Sequence, residues 1–90
     1  MSWTISFSRS ADKFLQKNDL DKEDIFGLVK VAVRKFSGEV TNLDIKKLKG
    51  EWEGHYRIRK GDLRIIVFFD FERSRVLIEE IDWRGNAYKE

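Results

Sequence analysis

The sequence predicts a small α+β domain over residues 1–90: a four-stranded antiparallel sheet packed on two N-terminal helices, in the order β-α-α-β-β-β. Three observations carry this. Residues 2–8 alternate strictly, with Trp3, Ile5 and Phe7 on one side and hydroxyl residues on the other. Residues 25–36 place apolar side chains at helical spacing. Residues 55–83 contain three β-prone runs divided by two short turn signals.

Each element has a local cause. The first strand covers Ser2 to Ser8, with one dry and one wet face. Ser10 is a suitable N-cap for a short helix from Ala11 to about Lys17, with Phe14 and Leu15 inward. Asp21 opens a second helix, and Glu23 and Asp24 sit in its electropositive first turn. Its apolar face runs Ile25, Leu28, Val29, Ala32, Phe36, and Gly38 supplies the stop. His55 to Arg59 alternates, Lys60-Gly61-Asp62 forms a tight connection, and Leu63 to Asp70 is strongly β-prone. Residues 72–75 turn the chain into a last strand from Val76 to Trp83. The expected core is Ile25, Leu28, Val29, Phe36, Ile58, Ile65, Val67 and Ile81.

The composition excludes several function classes. No apolar run approaches the roughly 20 residues of a membrane span, and MSWTISFSRS shows no basic region followed by an apolar stretch, so neither an anchor nor a secretory signal is expected. There is no cysteine and a single histidine, which removes disulfides and argues against structural zinc. The expectation is a cytoplasmic, monomeric domain with no metal and no cofactor.

The net charge is only +2, but it is unevenly distributed. Basic and acidic residues balance over 1–45. Residues 46–64 then hold Lys46, Lys47, Lys49, Arg57, Arg59, Lys60 and Arg64 against Glu51, Glu53 and Asp62, and the remainder is acidic. A local basic face on a nearly neutral chain suits an anionic ligand at one place, although a charge run is also what an ordinary solvated face shows.

Within that region the spacing is specific. Period two puts His55, Arg57 and Arg59 on one side of their strand, with Tyr56 and Ile58 on the other. Pairing across Gly61 brings Arg64 beside Arg59 or Arg57, and Arg84 and Tyr88 follow the last strand. Guanidiniums gathered on one sheet face suit a phosphodiester, because the planar fork binds phosphate oxygens bidentately and stays charged.

The run from Leu48-Lys49-Gly50 through YRIRKGDLRIIVFF, together with the closing EIDWRGNAY, resembles the RelE/ParE superfamily of toxin–antitoxin toxins over the whole chain in element order. The resemblance implies a type II toxin that enters the ribosomal A site, cuts mRNA between codon nucleotides, inhibits translation, and is silenced by a cognate antitoxin. By the same resemblance Arg57, Arg59, Arg64, Arg84 and Tyr88 are the catalytic positions. Lys47, Lys49 and Lys60 are read as RNA-binding neighbours. Some RelE proteins carry lysine at the first-strand basic positions, where an ammonium can give up its proton. Arginine does not, so the general base is unassigned.

Metal-independent RNA cleavage uses the substrate's 2′-hydroxyl as nucleophile, and the protein must align the attack, stabilise the phosphorane and assist proton transfer. The arginines fit charge stabilisation. Tyr88 can stack on a base or place its hydroxyl near the phosphate, and guanidiniums around it favour a deprotonated phenol or ammonium, which makes Tyr88 and Lys60 candidates for the base. His55 shares the arginine parity but reads first as a partly exposed strand histidine. Glu51 and Glu53 read as loop decoration, and Trp52 and Trp83 as packing or partner-facing aromatics. The alternative function is a ParE-like protein that poisons DNA gyrase and cuts nothing; the arginine–tyrosine set favours the nuclease.

Overall fold

A computed structural model describes residues 3–83, and every structural statement below concerns those residues. Strand β1 (Thr4–Phe7) leads into α1 (Arg9–Lys17) and α2 (Lys22–Phe36), followed by β2 (Asp44–Lys47), a 3₁₀ turn (Gly50–Trp52), β3 (His55–Lys60), β4 (Leu63–Asp70) and β5 (Arg75–Trp83). The strands form one sheet in the order β1-β5-β4-β3-β2. No helix here is long and apolar enough to cross a membrane.

The α+β expectation holds, with two differences in the sheet. It has five strands rather than four, because Asp44–Lys47 pairs antiparallel with β3 at the edge. DIKK offers one apolar residue to a half-wet edge strand, too little alternation to announce itself. The sheet is also mixed: β1 runs parallel to β5, from Thr4↔Arg75 to Phe7↔Ile78. Alternation identifies a strand but not its partner or direction. Here the two helices carry the chain to β2 at the far edge, and β3 and β4 lead back to β5 beside β1, a connection long enough for a parallel pair.

Helix α1 starts earlier than expected. Ser8, not Ser10, is its N-cap: the Ser8 hydroxyl accepts from the Ala11 amide at 3.1 Å. Asp21 caps α2 as predicted, accepting from Glu23 N at 3.0 Å. Gly38 follows α2 at φ 99°, a left-handed position that suits a residue without Cβ. Gly61, at φ 58°, is the first of two loop residues between Lys60 and Leu63, as a type II′ hairpin requires.

The helices cover one sheet face. Ala11, Leu15, Ile25, Val29 and Ala32 pack there against Ile58, Ile65, Val67, Phe69, Val76, Ile78 and Ile81, all buried. Six of the eight expected core residues are buried, and Leu28 packs against the cluster from its margin. Phe36 is the correction. Placed at the last turn of α2, it is more than a third exposed, with its ring against Tyr56, Phe69 and Phe71 at the rim. The opposite face of the sheet carries the arginines, together with Ile66 and Phe68.

Candidate active site

On that opposite face the register brings the arginines together. Arg59 pairs with Arg64, Arg57 with Ile66 and His55 with Phe68 across β3 and β4. Paired residues share a face, so Arg57, Arg59, Arg64 and His55 form one side-chain field, as period two predicted. On the flanks Arg64 pairs with Asp82 of β5, while Asp44 and Lys46 of β2 pair with Arg59 and Arg57.

The guanidiniums are oriented by carboxylates. Arg57 Nη2 donates to Asp44 Oδ1 at 3.2 Å, and Arg59 Nη1 lies 4.0 Å from Asp44 Oδ2. Arg64 addresses Asp82 with two donors, Nε to Oδ1 at 3.2 Å and Nη2 to Oδ2 at 3.4 Å. Arg57 and Arg64 are the buried charged residues of the described fold, each 5% exposed, whereas the Arg59 side chain is 30% exposed. Burying an ion is costly unless it is paired and hydrogen-bonded, and the two aspartates meet that condition. The field is therefore a set of aligned ion pairs rather than a bare cationic patch.

A second polar cluster adjoins it. His55 Nε2 and Glu79 Oε2 are 2.8 Å apart, and the imidazole lies between Trp52 and Phe68, with ring centroids at 5.2 and 5.3 Å. Alongside β5, on the α1 side, a groove of about 350 Å³ is lined by Lys13, Lys17, Glu80 and Asp82 among others.

No protein-family model and no curated protein matches the chain. Solved structures do. A chain of the toxin–antitoxin complex RelBE2 from Mycobacterium tuberculosis is 27% identical, with a TM-score of 0.60 over 93% of this chain and 100% of that one. A chain of the archaeal RelE–RelB complex from Pyrococcus horikoshii OT3 is 25% identical, with a TM-score of 0.65 over 97% and 100%. A metal-bound toxin from Helicobacter pylori gives a TM-score of 0.71 at 17% identity over 97% and 100%, a likeness of fold alone.

By fold, the chain belongs to the RelE-like toxin superfamily.

In this RelE-like chain the expected site residues divide into three groups. Arg57, Arg59 and Arg64 are brought together. Arg84 and Tyr88 lie outside the described residues. The lysines are exposed and spread around the hairpin: Lys47 pairs with Tyr56 and Lys60 with Leu63, on the parity of the helix face, while Lys49 precedes the 3₁₀ turn. Lys46, not singled out from the sequence, is the β2 lysine that shares the arginine face. Trp83 packs as expected, its ring 5.5 Å from Phe14 and its Nε1 donating to Asn18 Oδ1. Asp44, Asp82 and Glu79 were missed. Asp44 lies 13 residues before its arginine and Asp82 18 after its own, so only the sheet order joins them.

Proposed function

We propose that this RelE-like chain is the toxin of a type II toxin–antitoxin system, an endoribonuclease that cuts mRNA in the ribosomal A site and so inhibits translation. The observation that carries the reading is the cross-strand field of Arg57, Arg59 and Arg64, with two of its guanidiniums buried and aimed by aspartates. Its partners are then the ribosome with its mRNA and a cognate antitoxin. The relatives at 25% and 27% identity occur in toxin–antitoxin complexes, RelE–RelB and RelBE2, which supports the antitoxin.

The chemistry follows from charge. Attack of a ribose 2′-oxygen on the adjacent phosphorus turns a phosphodiester of charge −1 into a phosphorane of charge about −2. A fixed guanidinium therefore gains more from the transition state than from the substrate. Donors held in place beforehand need no reorganisation at the moment of reaction, and burial raises their effect by lowering the local dielectric. The aspartates act both ways: they fix the forks, and they offset part of the positive potential. Of the two effects orientation matters more, because a misplacement of about 1 Å costs on the order of 10²-fold.

The test is cleavage by purified protein on ribosomes programmed with a defined mRNA, with the 5′ ends of the products mapped. Cuts within the A-site codon are expected. An intact message together with inhibited DNA gyrase supports the gyrase-poison reading instead.

A further inference from the structure

The arginines supply charge stabilisation but cannot take a proton from the 2′-hydroxyl. Beside them, the β4–β5 ladder breaks register: Val67 pairs with Ile78 and Ile66 with Glu80, so Glu79 is the extra residue of a β-bulge. A bulge re-aims the side chain it adds. Both ends of Glu79 are held. Its carbonyl accepts from the Ser8 hydroxyl at 2.7 Å and the Ser10 hydroxyl at 3.4 Å, tying the bulge to the N-cap of α1. Its Oε2 meets His55 Nε2 at 2.8 Å. The imidazole is itself fixed by Trp52 and Phe68, with Nδ1 3.4 Å from the Glu53 carbonyl.

His55 shares the face of Arg57 and Arg59, so the carboxylate it holds lies at the His55 end of that face. Glu79 differs from its acidic neighbours. Asp44 and Asp82 are committed to guanidiniums, whereas Glu79 is held by an imidazole through one oxygen and stays 32% exposed. Phe68, more than a third exposed, borders the cluster as an apolar surface on which an unpaired base can rest.

From this geometry we infer that Glu79 is the general base of RNA cleavage and His55 its positioning residue. The assignment rests on the nuclease reading above. In the step, a Glu79 carboxylate oxygen takes the 2′-hydroxyl proton as O2′ bonds to phosphorus. The P–O5′ bond breaks, the 5′ oxygen takes a proton from water, and protonated Glu79 returns its proton to solvent. The products are a 2′,3′-cyclic phosphate and a 5′-hydroxyl.

Single-turnover cleavage on programmed ribosomes tests it with the intact chain. Glu79→Gln keeps the size and an acceptor for His55 but is not a base; its rate should fall about 10²–10³-fold. Glu79→Ala should fall similarly and recover in part with added formate, a small carboxylate that can occupy the vacated space. His55→Leu should slow the wild-type background yet cost nothing further in Glu79→Gln, since it acts through the same group, and His55→Gln, which retains a donor, should recover most of the loss. Melting curves show that each variant is folded, and if Glu79→Ala is not, the Glu79→Gln and His55 comparisons decide. Wild-type rate in Glu79→Gln, a loss in folded Glu79→Ala that formate does not relieve, or full additivity with His55→Leu overturns the assignment. If the wild-type protein itself leaves the mRNA intact, the nuclease reading fails and the assignment fails with it.

Discussion

Arg64 is a residue with two jobs. It is aimed at the arginine field, and it is buried in a two-point ion pair with Asp82. Arg64→Ala should lower single-turnover cleavage about 10²–10³-fold, as loss of a preorganised charge stabiliser does. Arg64→Lys should recover only part, since the ammonium keeps charge but not the fork. The burial adds a consequence that strand parity alone does not give: Arg64→Ala should also lower unfolding free energy by about 1–3 kcal/mol, because Asp82 loses its partner. Urea denaturation checks this, and unchanged stability contradicts the pair. Asp82→Asn separates the two jobs. It removes a negative charge but loosens the fork, so RNA should bind tighter while the cleavage rate falls; a rate at or above wild type means that orienting the fork matters less than the added positive potential.

Among the elements, the sheet between the helices and the arginine field holds most of the buried core. Ile58 and Ile65 are fully buried partners on β3 and β4, and truncating either to alanine should cost about 2–5 kcal/mol. That is a large fraction of the stability of a domain this size, and wild-type melting of both variants refutes the packing. Ser8→Ala should cost about 1 kcal/mol through the lost cap of α1, and it also removes the shorter of two hydroxyl contacts to the carbonyl of Glu79. The helices and the long strands were legible in the sequence, since Ile25, Val29 and Ala32 keep helical spacing and Leu63 to Asp70 is continuously β-prone. Strand β2 was not, because Ile45 is its single apolar residue. The parallel partner of β1 was not legible either, because β5 reaches it only after the helices have placed β2 at the far edge and β3 and β4 have led back. The bulge at Glu79 shows locally only as a slip in period two, from Val76 and Ile78 to Ile81 across two adjacent glutamates.

For the molecule as a whole, the same distinction separates the visible half of the site from the hidden half. Arg57, Arg59 and Arg64 lie on one hairpin, so period two and a two-residue turn were enough to gather them. Asp44, Asp82 and Glu79 reach that face only through the order β5-β4-β3-β2, which is a property of the folded sheet. On the nuclease reading, a chain carrying this field needs a partner that restrains it. Expressed alone, the protein should arrest growth, and co-expression with an antitoxin encoded beside it should restore growth and yield a complex that co-purifies; unimpeded growth without a partner removes the reason for one. Whether this sheet face cuts mRNA is decided by mapping mRNA 5′ ends in cells shortly after induction. The wild-type protein should produce new 5′-hydroxyl ends inside translated frames, and Arg64→Ala at equal expression should produce far fewer. Growth arrest with an unchanged set of mRNA ends would mean that the arginine field does not cut RNA.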